Sequence, residues 1–340
     1  MKQKNNLLVK NGSRTKKVFI IAEIGNNHEG NFTIAKKLVR QAAKAGADAV
    51  KFQTFKTENF IRKKDKMRFN QLKKFELSFS QFQFLKKLAH QKKIKFISTP
   101  LDLESADFLI KNADMIKIAS SDNNFYPLID KVLRSNQTMI ISTGMTNSLQ
   151  IKSLINYIAK IIGKNLTEKR IVLLHCVTSY PVEDKFANLR SVEYLIKNSK
   201  LTIGYSDHTI GNEACIAAVA MGAKVIEKHF TINKKFSKFK DHAISADYLD
   251  FRNLVNGIRK VEIQLGKFNK KIQQPEKKLI KQVRRAVYAD RRIISGEKIS
   301  LKNIKFLRPA FTSNFDNLKK VLGRKTKKTF YKNQRINIDN

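Results

Sequence analysis

The chain has 340 residues, 42% of them hydrophobic and 28% charged, so it can bury a core and is not a disordered polymer. Lysine and arginine number 68 against 28 aspartate and glutamate, which gives a formal net charge of +40 at pH 7. The basic residues are spread along the chain, and there is neither a tryptophan nor a motif of a known nucleic-acid-binding module, so we do not expect a nucleic-acid partner.

Cysteine use and hydropathy predict a cytoplasmic protein with no membrane span. Cys176 and Cys215, the two cysteines, lie in apolar runs and are expected to be buried thiols in a reducing compartment. The longest run without a polar residue, 214–223, has ten residues, half of the ~20 that a membrane-spanning helix needs. The apolar run 18–22 is shorter than the ~7–15 residues of a signal peptide and predicts a buried first strand.

Short apolar runs of strand length alternate with longer segments whose apolar residues recur at helical spacing, such as Ile34, Leu38 and Ala42. The eight runs are residues 18–24, 49–52, 95–98, 115–118, 139–142, 171–175, 201–204 and 225–228. This alternation implies parallel strands with right-handed crossovers, in a doubly wound sheet or in a closed barrel. Eight units over residues 17–265 match the usual size of a (β/α)8 TIM barrel, which is the fold that we predict.

Two further segments follow the predicted barrel. Residues 266–282 are rich in lysine, contain Pro275 and interrupt the alternation, so they are expected to form a solvated linker. Residues 283–340 contain short strand-like runs and a turn at Ser295 and Gly296, which predicts a small second module with little core of its own. Residues 1–16 are predicted to be an N-terminal extension.

Polar residues stand at the carboxyl end of nearly every predicted strand. They are Glu23, Lys51, Gln53, Thr99, Lys117, Ser120, Ser142, Thr143, Gly144, His175, Ser206, Asp207, His208, Glu227, Lys228 and His229. Each one alone is more often a structural or surface group than a ligand. Because the active sites of TIM barrels lie at the carboxyl ends of the strands, the combination favours an active site there.

Two subsets of these residues indicate a chemistry. Lys51 and Lys117 end different strands, and with nearby hydroxyl and backbone N–H groups they suit a phosphate or a carboxylate. Those groups belong to Thr99, Ser120, Ser142 and Gly144. His208 and His229 end neighbouring strands and suit a divalent metal ion, with Glu23 or Asp241 adding oxygen. The alternative is that each imidazole bonds to neighbouring backbone.

Eight ordered motifs resemble the sialic acid synthase family. The first, residues 21–55, is IAEIGNNHEGNFTIAKKLVRQAAKAGADAVKFQTF. The others are STP at 98–100, KIASSDNNFYPLI at 117–129, STGM at 142–145, HCVTSYPV at 175–182, GYSDHTIG at 204–211, EKHFT at 227–231 and DHAIS at 241–245. The resemblance covers about residues 17–250, and residues 283–340 resemble the C-terminal antifreeze-like (SAF) domain of that family.

This resemblance implies a condensation of phosphoenolpyruvate with an N-acetylated amino sugar, which gives a nine-carbon 2-keto sugar acid and phosphate. The motif positions for phosphoenolpyruvate are Lys51, Thr99, Lys117, Ser120, Ser142 and Ser206. The positions for the metal, usually described with manganese, are His208 and His229, and those for the sugar are Gln53, Tyr180, Asp241 and Arg308. Glu23 and Glu227 match acidic residues of the site, and we expect Glu23 to move a proton or orient water.

The chain departs from the family pattern at three places near the sugar. Asp122 stands where the family often has glutamate, the pair Phe239 and Lys240 replaces Gly-Pro, and Ala310 and Phe311 replace two glycines. These departures bear on the identity of the sugar and not on the reaction class, and we expect the acceptor to be N-acetylmannosamine or a related diacetamido sugar of the legionaminate type. The competing hypotheses are a phosphoenolpyruvate condensation with a shorter aldose, a barrel that binds nucleic acid through its basic surface, and an inactive scaffold.

The resemblance also implies an assembly. In that family the C-terminal module caps the active site of the partner subunit, so we predict a domain-swapped homodimer in which Arg308 acts in trans. Arg308 precedes Pro309, and a residue before proline is restricted to an extended backbone that projects its side chain. The alternative is a surface arginine in a lysine-rich tail.

Overall fold

A computed structural model describes residues 9–10, 13–14, 17–309 and 317–336. The chain divides into two compact units, one that ends at Gly266 and one that begins at Lys267. Most of the predicted extension 1–16 lies outside the described residues, and Val9–Lys10 pairs there with Ser13–Arg14 in an antiparallel hairpin. The predicted domain bounds stay predictions.

The first unit is a closed barrel of eight parallel strands, in the order β8-β1-β2-β3-β4-β5-β6-β7. The strands are β1 Phe19–Gly25, β2 Ala49–Thr54, β3 Lys95–Pro100, β4 Met115–Ile118, β5 Thr138–Ser142, β6 Ile171–Cys176, β7 Thr202–Asp207 and β8 Val225–His229. Each predicted run falls on one of them. The prediction of a TIM barrel is therefore confirmed against the doubly wound sheet.

Helices follow every strand of the barrel. They are α1 Phe32–Ala45, α2 Thr57–Phe60, α3 Lys66–Phe75, α4 Phe79–Gln91, α5 Leu103–Asn112, α6 Tyr126–Leu133, α7 Ser148–Ile162, α8 Lys164–Arg170, α9 Arg190–Asn198, α10 Glu213–Ala220, α11 Lys240–Ile244 and α12 Tyr248–Leu265. Local signals set their bounds: Asn31 caps α1, and Ser78 with Gln81 forms a capping box on α4. Within the described part of the chain, no helix is both long and apolar enough to cross a membrane.

The barrel interior is filled by small and medium apolar side chains, and the period of two in each strand determines what lies above them. The interior layer consists of Ile21, Ala49, Ile97, Met115, Ile140, Val172, Leu174 and Val225. Gly204 belongs to the same level, where a Cβ atom would lie 2.3 Å from the Val225 carbonyl oxygen and 2.6 Å from Leu174 Cδ2, so only glycine fits. Residues two positions further along each strand open into the mouth of the barrel.

The second unit is small. It contains α13 Gln274–Val283, an antiparallel pair of strands, β9 Ala286–Ala289 and β10 Ile304–Leu307, and the short α14 Asn317–Val321. Its larger buried cluster consists of Val287, Ala289, Ile293, Ile299, Ile304, Val321, Phe330 and Ile336, and Ala286 and Tyr288 form a smaller one. The predicted linker is exposed, as expected, but its second half is the helix α13, which begins at a capping box between Gln273 and Glu276.

Candidate active site

A cavity of about 520 Å³ opens at the carboxyl ends of the barrel strands. Most of the predicted site residues line it: Glu23, Lys51, Gln53, Thr99, Lys117, Ser120, Ser142, Tyr180, Ser206, His208, Glu227, His229 and Asp241. Alternation along the strands explains the convergence, because Glu23 lies two residues after the interior Ile21 and Lys117 two after Met115. The interior apolar layer thus forms the floor of a polar cavity.

Two lysines and two glutamates form a buried charge cluster on that floor. Lys51 Nζ lies 3.0 Å from Glu23 Oε2 and 3.5 Å from Glu227 Oε1, and Lys117 Nζ lies 3.9 Å from Glu227 Oε1. The four side chains are only 3–6% exposed. Among the described residues Glu227 Oε2 has no hydrogen-bond partner, so the cluster has bonding capacity left for a ligand.

Hydroxyl groups surround the two ammonium groups. Lys117 Nζ donates to Ser142 Oγ at 2.6 Å, and Lys51 Nζ donates to Thr99 Oγ1 at 3.5 Å. Ser206 Oγ donates to Glu227 Oε1 at 2.9 Å. Short hydroxyls beside ammonium groups suit an anion with several oxygens, as the sequence predicts.

The turn after β5 brings backbone into the same site. The Gly144 N–H donates to Ser120 Oγ at 3.1 Å, and Asn123 Nδ2 donates to the carbonyl oxygens of Ser142 and Gly144. A Cβ atom at position 144 would lie 2.3 Å from Thr178 Oγ1 and 2.6 Å from Ser120 Oγ. Glycine is therefore required for this close approach between the turn and Ser120.

The surroundings of Glu23 and Glu227 shift the pKa values of these two carboxyl groups in opposite directions. Burial raises the pKa of Glu23 to about 7, with Lys51 opposing the rise and Glu227 adding to it. Burial also acts against the charge of Glu227, but Lys117, Lys51 and Ser206 outweigh it and leave its pKa lowered. Two neighbouring carboxyl groups whose pKa values diverge are typical of a site where one stays ionised and the other moves a proton.

The two lysines also differ. Burial lowers the pKa of Lys117, and the Lys51 charge adds to that effect. At Lys51 burial is outweighed by Glu227 and Glu23, which leave its pKa raised. Lys117 is therefore the ammonium group that gains most from the arrival of an anion.

His208 and His229 lie next to each other at the mouth, with ring centroids 5.3 Å apart. The Tyr180 ring covers them, at 4.2 Å from the His208 ring and 5.9 Å from the His229 ring. The Val177 carbonyl oxygen lies 2.8 Å from His208 Nδ1 and can only accept, so Nδ1 carries an N–H, and Nε2 is an acceptor when the ring is neutral.

The imidazole pair fits a divalent cation. His229 Nδ1 is buried without a hydrogen-bond partner in the described ranges, and burial, with the nearby His208 and Lys51 charges, holds the pKa of His229 well below its usual value. A neutral ring with an unused nitrogen is a metal ligand by its chemistry. No group of three or more His, Cys, Asp or Glu side chains suited to a metal exists among the described residues, so two imidazoles would leave coordination positions open for substrate and water.

Loops contribute side chains that reasoning from strand ends missed. Asn26 Nδ2 donates to Gln53 Oε1 at 2.8 Å and thereby orients that amide. Arg68 on α3 and Lys238 and Lys240 before Asp241 add positive charge to the cavity wall. Arg68, Lys238 and Lys240 all lie in the long segments after β2 and β8. No periodicity in these segments shows which side chains point into the cavity.

Some of the singled-out residues do not line the cavity, namely Thr143, Gly144, His175, Asp207, Lys228 and Asp122. The strand-end prediction for His175 is wrong, because alternation turns this side chain away from the cavity and its Nε2 lies 2.9 Å from the Ala187 carbonyl oxygen. Asp122 ends the 3-10 turn Ser120–Asp122, half-buried beside Ser121 but not among the residues that line the cavity. Arg308 is exposed in the second unit, and Ala310 and Phe311 lie outside the described residues.

The chain is similar to several known proteins. A model of the NeuB family matches residues 38–270. The chain is 38% identical over 335 residues to N,N'-diacetyllegionaminic acid synthase of Campylobacter jejuni, covering 94% of this chain and 99% of the relative. It is 32% identical over 334 residues to pseudaminic acid synthase of the same species, covering 94% and 95%. The solved N-acetylneuraminic acid (sialic acid) synthetase of Leptospira borgpetersenii, in complex with citrate, matches with a TM-score of 0.72 at 33% identity over 78% of this chain and 90% of that one.

Proposed function

This chain belongs to the NeuB family, and we propose that it condenses phosphoenolpyruvate with an N-acetylated amino sugar to give a nine-carbon 2-keto sugar acid and phosphate. One observation carries the proposal: a single cavity holds two buried lysines with hydroxyl partners and two imidazoles under a tyrosine ring. The first group suits a small substrate with a carboxylate and a phosphate, and the second suits a metal-assisted reaction at a carbonyl group.

Lys51 and Lys117 are assigned to phosphoenolpyruvate. Its carboxylate and phosphate carry more negative charge than one ammonium group neutralises, and Lys51 is already shared between Glu23 and Glu227. Lys117 has one carboxylate neighbour, at 3.9 Å, and therefore offers most of its charge to the ligand. Ser142, which already accepts from Lys117, and the other hydroxyls hold the phosphate oxygens without bulk.

His208 and His229 are assigned to a divalent cation, which the resemblance names as manganese. When bound, such an ion supplies Lewis-acid polarisation of the sugar's aldehyde oxygen. The chain's own contribution is orientation, because the Val177 carbonyl oxygen accepts from the His208 ring and the Tyr180 ring packs against both imidazoles.

We assign to Glu23 the transfer of a proton to the aldehyde oxygen and from the attacking water. In the reaction, C3 of phosphoenolpyruvate bonds to C1 of the open-chain sugar, water adds at C2, and the C2–O bond to phosphate breaks. The aldehyde oxygen gains a proton, the attacking water loses one, and the remaining proton of the C2 hydroxyl leaves with the phosphate as the keto group forms. With a pKa of about 7, Glu23 exists in both protonation states near neutrality, whereas the lowered pKa of Glu227 keeps that group ionised.

The acceptor is N-acetylmannosamine or a diacetamido hexose, and Gln53, Tyr180 and Asp241 are assigned to it. Similarity to both an N-acetylneuraminic acid synthetase and a diacetyllegionaminic acid synthase supports these two sugars. The test is an assay of phosphate release by the purified protein with Mn2+, phosphoenolpyruvate and each of a panel of amino sugars and shorter aldoses. Release with an N-acetylated hexosamine supports the proposal, and release with shorter aldoses alone overturns it.

We also propose that residues 283–340 form an antifreeze-like (SAF) domain that caps the active site of the partner subunit in a domain-swapped homodimer. Two observations support this: the second unit has a small core of its own, and Arg308 is exposed on it. The guanidinium fork suits sugar hydroxyls or an acetamido oxygen, which a lysine would not replace.

Complementation tests the proposed swap. The inactive variants His208→Ala and Arg308→Ala are unfolded and refolded together. In a swapped heterodimer the intact barrel of the Arg308 variant receives the intact cap of the His208 variant, so one site in two is whole. Heterodimers without recovered activity would exclude action in trans.

A further inference from the structure

A buried ion pair lies behind the two histidines, on the face of the barrel wall that looks away from the cavity. Asp207 and Lys228 are opposite each other in the register of β7 and β8, and their side chains are 0% and 2% exposed. Each immediately precedes a histidine of the site, His208 or His229. Because successive side chains of a strand point to opposite faces, the ion pair and the imidazoles are held by the same short stretches of backbone.

Both members of the pair make several hydrogen bonds. Lys228 Nζ donates to Asp207 Oδ2 and to the Thr209 carbonyl oxygen, both at 2.6 Å. Asp207 Oδ1 accepts from the Thr209 N–H and hydroxyl, both at 2.8 Å, and from Tyr205 Oη at 3.0 Å. Cys215 Sγ on α10 donates to Asp207 Oδ2 at 3.2 Å. These bonds tie the end of β7, the turn that follows His208 and the end of β8 into one unit.

An apolar pair would serve stability at least as well at this place. Outward-facing positions on other parts of the barrel wall are apolar, among them Phe52, Ile141 and Ile226. Desolvation of two charges costs as much as their attraction returns, so a buried ion pair adds little net stability over a well-packed apolar pair. Its specific property is direction, since each bond fixes an angle and a register as well as a distance.

We infer that the Asp207–Lys228 pair is a positioning pair that sets the separation and orientation of His208 and His229, and thereby the affinity of the site for a divalent cation. The inference rests on the proposed metal role of those two histidines. It adds two residues, neither of which lines the cavity, to the set that determines metal affinity.

The test compares Lys228→Met, the double variant Asp207→Asn/Lys228→Met, and a matched control at the opposite end of the barrel, Asp48→Asn/Arg259→Met. That control removes an ion pair with an N–O distance of 2.8 Å that contacts neither histidine. Three quantities are measured: Mn2+ affinity by calorimetry, the unfolding temperature of the metal-free protein, and KM for phosphoenolpyruvate.

Lys228→Met should lower the unfolding temperature, because it leaves a buried carboxylate without its cation. The double variant should regain most of that loss yet bind Mn2+ about 10- to 100-fold more weakly, as expected when groups behind metal ligands are removed. Its KM for phosphoenolpyruvate should stay unchanged at saturating Mn2+. The control variant should unfold at a lower temperature than the wild-type protein and keep its Mn2+ affinity.

A double variant with recovered stability and wild-type Mn2+ affinity would overturn the inference and leave the proposed function intact. A wild-type protein that binds no divalent cation would overturn both. Should the double variant not fold, Tyr205→Phe removes one bond to Asp207 Oδ1 and keeps the charges. It should weaken Mn2+ binding about fivefold, the equivalent of one hydrogen bond, and unchanged binding there would also overturn the inference.

Discussion

The two ends of the barrel both carry clusters of charged residues, and they use them differently. At the amino end, Arg259 Nη1 donates to the Val18 carbonyl oxygen at 2.7 Å and Nη2 lies 2.8 Å from Asp48 Oδ2, which also accepts from the Ile20 N–H. Glu262 accepts from Val18 N and pairs with Arg259. These side chains are 15–23% exposed, and their bonds satisfy backbone at the start of β1.

At the carboxyl end the charges are more deeply buried but bonded mainly to one another. Lys51, Lys117, Glu23 and Glu227 are 3–6% exposed, and the pKa of Glu23 is raised to about 7. Charges at the amino end bond to backbone at the start of β1, whereas those at the carboxyl end line the cavity in which we propose that the substrate binds. Substitutions at the two ends should therefore separate stability from activity.

The largest effect is expected from the metal site. His208→Ala removes one of two imidazoles and should lower kcat by about 1,000-fold or more, since loss of Lewis-acid stabilisation costs several kcal/mol. The variant should fold normally. A chelator should abolish phosphate release by the wild-type protein, and Mn2+ should restore it. Full activity in a thoroughly chelated sample would contradict the metal-assisted reaction.

The next effect concerns the anion site. Lys117→Met should reduce kcat/KM for phosphoenolpyruvate by about 100- to 1,000-fold, because a bound phosphate loses a buried cation. The unfolding temperature of the free protein should stay the same or rise, since desolvation of Lys117 no longer opposes folding. An unfolding temperature that falls with activity retained would assign Lys117 to the same structural role as Arg259.

Glu23 should make the free protein less stable as the pH rises. Its folded-state pKa of about 7 exceeds the value of 4.5 expected in the unfolded chain, so between these values the folded state holds the extra proton. Relative to Glu23→Gln, the metal-free wild-type protein should lose on the order of 3 kcal/mol of unfolding free energy between pH 4.5 and pH 8. Urea denaturation of both proteins at several pH values measures this difference. If their unfolding free energies change with pH in parallel, the pKa of Glu23 is not raised.

At the amino end the pattern should reverse. Arg259→Met removes the guanidinium partner of Asp48 and Glu262, although Asp48 keeps its longer ion pair with Lys17 at 3.5 Å, and it removes the donor to the Val18 carbonyl oxygen. It should cost about 2 kcal/mol of stability, the scale of a lost charged hydrogen bond at a partly exposed site. Because no group of the cavity is touched, kcat should stay within about twofold of wild type. A large fall in kcat with little loss of stability would remove the distinction between the two ends.

The period of two explains why so much was predictable from the sequence. The interior apolar residues and the site residues share one face of each strand, as Met115 and Lys117 do, so strand ends identified most of the cavity wall. The same rule, counted from the interior layer, would have turned His175 and the ion pair of Asp207 and Lys228 outward. The sequence analysis listed every polar residue at a strand end without asking which face its side chain occupies, and it therefore included residues that point away from the cavity.

What the sequence did not predict lies in loops and in coupled charges. Asn26 and Lys238 on loops, and Arg68 on the helix α3, reach the cavity along segments whose path is determined by packing such as that of Phe75 on Phe239, at a centroid distance of 5.2 Å. The opposite pKa shifts of the two glutamates depend on distances of a few ångströms to two lysines. Neither kind of information is encoded in residue spacing.

The smallest effect is expected from Asp122, which marks the boundary of the carboxyl-end cluster. This half-buried residue shares the turn Ser120–Asp122 with a residue of the cavity, and its Oδ2 accepts from Ser121 Oγ at 3.0 Å. Asp122→Glu adds one methylene and so extends the reach of the carboxylate. It should change the preference between N-acetylmannosamine and a diacetamido hexose by up to about tenfold. KM for phosphoenolpyruvate should stay unchanged, because Lys117 keeps its partners Ser142 and Glu227.

The matched control is Asp122→Asn, which removes the charge and keeps the length. If reach determines the preference, the glutamate variant alone should shift it; if charge does, the asparagine variant should shift it as well. KM and kcat for each sugar at saturating phosphoenolpyruvate distinguish the two. A change in KM for phosphoenolpyruvate with sugar preference untouched would place Asp122 with the anion-binding lysines, and the boundary of that cluster would then lie one residue further along the turn.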